Sequence, residues 1–219
     1  MKPLLSYATH VRRYPIYVRQ IYWWVRARHL FRAQGVRLEG AVTCYGVPIV
    51  QRTHNSEISI GNRVTLCSDS RYTALGVSKP VILRTLRPGA RLEIGNETGL
   101  SGTVICASKS ITIGRQCLIG ADVMIFDTDF HPIDPHERRK KSENEAEARP
   151  VRIHDNVFIG AKSIVLKGVT IGEGSVIGAG SIVSRDIPPF TVAGGNPARP
   201  LRDLPSTRRN FASVPRNRT

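Results

Sequence analysis

From residue 153 onward an aliphatic side chain returns at every sixth position: Ile153, Ile159, Val165, Ile171, Ile177 and Val183. Four places after each of the first five stands a small or β-branched residue: Val157, Ser163, Val169, Ser175 and Ser181. Glycine follows the aliphatic position directly at Gly160, Gly172 and Gly178, and the same phrase occurs earlier at Ile60-Gly61, Ile94-Gly95, Ile113-Gly114 and Ile119-Gly120, then Ile125. A period of six matches neither a helix at 3.6 nor a lone alternating strand at 2, but it suits a solenoid of short strands and tight turns. Each hexad predicts a strand of a few residues whose aliphatic side chain points inward and stacks on the next coil. The small residue is expected near a corner, and the glycine is expected to permit the backbone turn. No coil buries its apolar face alone, so stacking must stabilise the whole. An ordinary β-sandwich would keep this register only by chance.

The repeat breaks off after its fourth aliphatic-glycine phrase and the Ile125 that follows it. After Ile125 the chain reads Phe126-Asp127-Thr128-Asp129-Phe130-His131-Pro132-Ile133-Asp134-Pro135, then a charged stretch to Arg149, and the pattern resumes at Val151. Residues 127–150 are therefore expected as a loop extruded from the coils, and such loops carry function more often than the coils do. Mixed charges also suit a plain solvated surface. His131 stands between acidic residues at the mouth of the loop. Histidine titrates near pH ~6.5 and suits proton transfer at working pH, with Asp129 or Asp127 as the local carboxylate that fixes its tautomer.

Upstream of the coils the period changes. Residues 11–34 predict a helix with Tyr14, Tyr17, Ile21, Trp24, Val25 and Phe31 mostly on one side, Arg12, Arg19 and Arg26 on another, and Pro15 near the start. Two readings stay open for it: an interfacial membrane segment, or a helix packing its aromatic face on the β-helix or a neighbouring subunit. The stretch from Ile16 to Val25 is interrupted by Arg19 and Gln20 and is too short to span a bilayer. The chain thus divides into a basic aromatic arm (1–37), a β-helical body (38–202) and a basic tail (203–219).

The 219 residues fit one domain with extensions, and 41% apolar with 22% charged content excludes a disordered or membrane-spanning chain. The net charge of +15 is unevenly placed. Residues 1–37 hold eight basic and no acidic residues, residues 185–219 hold seven and two, and the body between holds 17 and 15. A near-neutral body argues against a nucleic-acid footprint, which would spread basic residues over the folded face. Cys44, Cys67, Cys106 and Cys117 show no zinc-like spacing and read as buried thiols in a reducing compartment. With no secretory signal visible, the expectation is a cytoplasmic protein, with the arm as the one element suited to the inner face of a membrane.

The run Ile171-Gly172 through Ile177-Gly178-Ala179-Gly180-Ser181-Ile182-Val183, then Asp186-Ile187-Pro188-Pro189 and Gly195-Asn196-Pro197-Ala198-Arg199, resembles the hexapeptide-repeat acyltransferases. Within them it is most similar to the galactoside and maltose O-acetyltransferases and to enzymes that decorate bacterial surface polysaccharides. The resemblance covers residues from about 58 to 202. It implies a left-handed parallel β-helix, a homotrimer with active sites between subunits, and acetyl-CoA as donor. It further implies direct transfer to a sugar hydroxyl in a ternary complex, without an acyl-enzyme and without a metal.

His131-Pro132 matches the family's catalytic His-Pro segment, and Ile133-Asp134-Pro135-His136-Glu137-Arg138 matches the segment that follows it. The family's glutamate that positions the histidine falls on Glu143. The family's asparagine near the acceptor aligns near Gly102, where Ser101 is the only side chain beside it, so acceptor recognition departs from the pattern; Ser101 and Asp127 are the candidate acceptor contacts. The donor positions fall on Ala161, Ala179, Ser184 with Arg185, Arg199 and Arg202, where small residues admit pantetheine and arginines meet phosphates. A lipid-linked glycan precursor would also give the basic arm a reason to exist.

Two rivals share the fold. A γ-class carbonic anhydrase would hold zinc with three histidines; His131 and His136 show the required spacing, but both fall in the irregular loop and the third would have to be His54. A non-catalytic scaffold would make His131 dispensable.

Overall fold

The structure, a computed structural model, describes residues 4–140 and 146–205, with side chains described from Val18 onward. After helix α1 (Leu4–Ala33) the chain winds through six coils, each laying one strand in each of three sheets. Sheet A takes Arg37–Leu38, Glu57–Ile60, Arg91–Ile94, Ser110–Ile113, Val151–Ile153 and Thr170–Ile171. Sheet B takes Val42–Tyr45, Val64–Cys67, Gly99–Ser101, Leu118–Ile119, Phe158–Ile159 and Val176–Ile177. Sheet C takes Ile49–Gln51, Ile82–Thr85, Val104–Ala107, Met124–Phe126, Ile164–Val165 and Ile182–Val183. Thr191–Gly195 and the antiparallel Ala198–Asp203 finish sheet B. All successive coils pair in parallel, and the fold is a left-handed parallel β-helix.

The hexad positions do what their spacing requires. Ile153, Ile159, Val165, Ile171, Ile177 and Val183 are at most 2% exposed, and each pairs with its equivalent one coil away, as in Ile60↔Ile94↔Ile113↔Ile153↔Ile171. The small positions are equally buried. Where they are serines the hydroxyl satisfies a backbone carbonyl: Ser163 donates to Gly178 (3.0 Å), Ser181 to Gly178 (2.6 Å) and Ser175 to Pro188 (2.7 Å).

The glycines correct the expectation. Those that follow the aliphatic position have ordinary φ; the left-handed turn falls two residues later, mostly on side-chain-bearing residues such as Arg63, Glu97, Gln116, Asp122, Asn156 and Lys162. Glycine is required because coils touch there: a Cβ on Gly160 would stand 2.4 Å from the Ala179 amide nitrogen, and one on Gly114 2.6 Å from the His154 carbonyl carbon. Gly160→Ala should therefore destabilise by about 1–3 kcal/mol as the coils are forced apart. A melting temperature equal to wild type would contradict this close-contact account.

The outer faces differ in kind. On sheet A the column Ser59–Glu93–Thr112–Arg152–Thr170 is polar. On sheet C the column Ile49–Ile82–Val104–Met124–Ile164–Ile182 is aliphatic or Met in every coil and points outward, while the column beside it on the same face starts polar, at Gln51 and Arg84, and continues through Cys106 and Phe126. The inward column beside it, Val50–Leu83–Ile105–Ile125–Val165–Val183, is buried.

Helix α1 covers the open N-terminal edge, which would otherwise expose the first coil. It ends at Gly35 in the left-handed region, with Gly35 N–H donating to Arg32 and Val36 N–H to Phe31. Gln34 is held by Arg52, which donates through its backbone and its Nε. The docked face is Trp23, Ala27 and Phe31, packed on Leu38, Val42 and Cys44, with Trp23 edge-on to Tyr72 at 5.2 Å. Of the expected aromatic face only Phe31 is buried, whereas Ile21, Trp24 and Val25 are exposed; the side chains of Arg12, Tyr14 and Tyr17 lie outside the described residues. Apolar residues occur all round this helix, so periodicity alone could not choose. Ala27, flanked four residues away by Trp23 and Phe31, is the small residue that lets the backbone approach.

All four cysteines are free and buried, and burial pushes the thiols up, Cys44 to about 12 and Cys117 to about 11. They pack as small hydrophobes, as their apolar setting predicts.

Candidate active site

The chain leaves the fourth coil after Phe126 and returns at Val151. Its neck is a short antiparallel contact: Thr128 bridges Ala148, Asp129 N–H donates to Glu147, and Arg149 N–H donates to Asp127 (2.8 Å). The Asp127 carboxylate is fully buried and accepts the backbone N–H groups of Ser108 (2.6 Å), Lys109 (2.7 Å) and Ser110 (2.7 Å). That corrects its expected role as an acceptor contact. Its oxygens anchor the excursion to the preceding turn, because a carboxylate is buried only when its lone pairs are met.

His131 follows Phe130, which is left-handed (φ 63°) and packs its ring 5.3 Å from that of Phe126. The His131 N–H donates to the Asp129 carbonyl (2.7 Å), and in the single chain its side chain is exposed at the loop mouth. The segment after it is fastened. Asp134 caps a short helix α2 (Pro135–Lys140) by accepting from His136 and Glu137 N–H, each 2.9 Å, while Arg138 donates to the carbonyls of Pro132 (3.1 Å) and Ile133 (2.8 Å). Glu143 lies outside the described residues, as do residues 206–219 of the tail.

The neck is clamped from above and below. Lys167, in the coil above, donates from Nζ to Asp129 Oδ2 (2.6 Å) and to Glu147, and its side chain is 11% exposed. Arg87, two coils below, donates to the Ala146 carbonyl (2.6 Å). Neither residue was singled out by the sequence. The repeat register held the signal: Ile125 pairs with Val165, so Lys167 stands over the point where the hexads break. Burial alone would lower the Lys167 ammonium, but Asp129 and Glu147 outweigh it and raise it; the Lys167 hydrogen bond holds the Glu147 carboxyl below its usual range. The clamp's stabilisation is present above the ordinary Glu value and lost as pH falls through the depressed one. At the alkaline end it is present below the ordinary Lys value and lost as pH rises through the raised one. Lys167→Met should lower the melting temperature by a few degrees between those limits and converge on wild type outside them; a uniform decrement at every pH would contradict the clamp.

The remaining candidates fall at two different corners. Ser101, Gly102, Ala161 and Ala179 lie where sheet B turns into sheet C. His131, Ser184 and Arg185 lie where sheet C turns into sheet A, and Arg199 and Arg202 are exposed on the strand that closes sheet B. Between the corners stands the outer face of sheet C, so a strand's length of about 10 Å separates the two halves within one chain. A second excursion, residues 68–80, covers the Ser101 corner. It is tied by Ser78 N–H donating to Asp122 and by the stacked rings of Tyr72 and Tyr45 (5.0 Å). Asp69 starts it, its carboxyl held down at about 2 chiefly by its hydrogen bond from Arg71. This loop explains Gly102: with φ +54° and a hypothetical Cβ only 2.7 Å from Val77, an asparagine does not fit there. The sequence signal was the long gap between the inward residues Leu66 and Leu83.

Residues 150–185 match the family model described as the hexapeptide repeat of succinyl-transferase. The chain is 42% identical over 117 residues to galactoside O-acetyltransferase of Escherichia coli K12, covering 53% of this chain and 56% of that protein. Over about half its length the chain is similar to hexapeptide-repeat acetyltransferases. Among solved structures of this architecture, a hexapeptide-repeat acetyltransferase of Vibrio cholerae is 26% identical, with 81% of each chain covered and a TM-score of 0.50. AntD, an N-acyltransferase from Bacillus cereus, is 19% identical and superimposes with a TM-score of 0.61 over 81% of this chain and 88% of that one, which speaks to the fold. The chain spans about half the length of the curated relatives it matches.

The three histidines of the carbonic anhydrase reading do not meet in the chain: His54 is in the first coil and His131 beyond the fourth, about 14 Å apart along the axis at the usual strand spacing. Among the described residues no three His, Cys, Asp or Glu side chains form a metal-holding group.

Proposed function

We propose that this chain is an acetyl-CoA-dependent O-acetyltransferase of sugar hydroxyls, in bacterial surface-polysaccharide or lipopolysaccharide synthesis, working as a homotrimer with its sites between subunits. The observation that carries the reading is the placing of the His131 loop. It rises from one edge of the outer face of sheet C, while the small-residue corner of Ser101, Ala161 and Ala179 lies on the other edge. Packing sheet C of one subunit beside that of the next would bring the two half-sites together.

In that site His131 takes the proton of the acceptor hydroxyl as its oxygen attacks the thioester carbonyl carbon. The C–O bond forms, the C–S bond breaks, and the imidazolium returns the proton to the leaving thiolate. No group on the protein is acylated. Asp129 acts as a positioning residue: its carbonyl holds the His131 backbone and its carboxylate is tied to Lys167. Ala161 and Ala179 leave room for pantetheine beside the coils, and Ser184, Arg185, Arg199 and Arg202 are placed for polar and phosphate contacts. Glu143 is proposed to support His131, and Ser101 to contact the acceptor together with the 68–80 loop.

The test is coenzyme A release from acetyl-CoA against a panel of nucleotide sugars, oligosaccharides and amino sugars. The reading expects release that depends on a hydroxyl acceptor. Release with amino sugars alone would replace it with N-acetylation.

A further inference from the structure

Helix α1 carries two apolar stripes, and the fold uses one. Trp23, Ala27 and Phe31 are buried against the first coil. Val18, Ile21, Tyr22 and Val25 recur at i, i+3, i+4 and i+7 and are 55, 63, 55 and 39% exposed. At 100° per residue this second stripe lies on the opposite side of the helix, facing away from the protein. Arginines frame it: the Arg26 guanidinium stands 6.0 Å over the Tyr22 ring, and Arg28 stands 5.2 Å over the exposed Trp24. Residues 1–37 contain eight basic residues and no acidic one. The helix is not long and apolar enough to cross a membrane.

We infer that the outer face of α1 seats on an anionic lipid bilayer surface. A helix lying in the interface buries an apolar stripe of this width at the acyl boundary, keeps Tyr and Trp at headgroup depth, and lets arginine reach lipid phosphates along its flanks. Charge decides against a second copy as the occupant. Two such helices would bring arginines of one sign together with no carboxylate between them, whereas an anionic leaflet supplies the missing counter-charge. The apolar column of sheet C is the surface proposed for self-association. The inference does not depend on which acceptor the protein uses.

The experiment is co-sedimentation of the full chain with vesicles of phosphatidylcholine alone and of phosphatidylcholine with phosphatidylserine. Binding is expected to the anionic vesicles, to weaken by about tenfold or more as salt is raised to about 1 M, and to be weak on neutral ones. Ile21→Ser with Val25→Ser should reduce partitioning about tenfold or more, and Arg26→Gln with Arg28→Gln should also reduce it. Both pairs should keep the wild-type melting temperature, because neither touches the docked face. Equal binding to neutral and anionic vesicles would overturn the inference, as would unchanged binding by the stripe variant. So would a stripe variant that alters the oligomer mass by light scattering while its vesicle binding stays the same.

Discussion

Replacing His131 with Ala lowers kcat by about 10²–10⁴-fold while the KM for acetyl-CoA stays within about twofold. The split follows from where the residues stand. An alcohol attacks a thioester slowly at neutral pH unless a base accepts its proton as the bond forms, so loss of the imidazole falls on the chemical step. The donor contacts are proposed at Ala161, Ala179 and the arginines of the C-terminal coils, on other elements, so donor binding should persist. Added imidazole should restore part of the rate, which a merely structural role for His131 would not allow. A variant that keeps kcat and loses acetyl-CoA affinity would remove His131 from the base role and give it to the donor.

The second large effect is expected far from any catalytic atom. Met124→Glu with Ile164→Glu places two carboxylates in the apolar column of sheet C, where adjacent coils pair those residues. Both side chains point outward, so the inner core of Ile125 and Val165 is untouched and each chain should still fold. Burying two unpaired charges at the proposed subunit interface is prohibitive, so the proposed trimer should dissociate to monomers and activity fall by at least about 100-fold. Light scattering reads the mass and circular dichroism the retained β-helix. Full activity in a monomeric variant would show that one chain holds a whole site.

The parts of the molecule that repeat were legible, because a period of six fixes which residue faces inward, and burial of Ile153 through Val183 follows from it. The loop that bears His131 was legible as an interruption of that period. What escaped were features set by contacts between coils rather than along them. Glycine spacing pointed to turns, yet the reason for glycine is the approach of the next coil, as at Gly160 and Ala179. Asp127 beside His131 looked like site chemistry until its carboxylate was found on three backbone amides. Lys167, 38 residues from Asp129 in the chain, is adjacent to it only because one coil lies over another. The face of α1 was misjudged because apolar residues surround the helix and only the small Ala27 marks the docked side.

One measurement bears most directly on a site shared between subunits with His131 as its base. His131→Ala disables one edge of sheet C, and Ala161→Arg blocks the other by filling the donor corner. Each variant alone should be nearly inactive. Co-assembled in equal amounts, they should recover about a quarter of wild-type activity, because an interface that draws each half from the partner that kept it intact is whole. No recovery on mixing, with trimers shown to have exchanged subunits, would contradict the account.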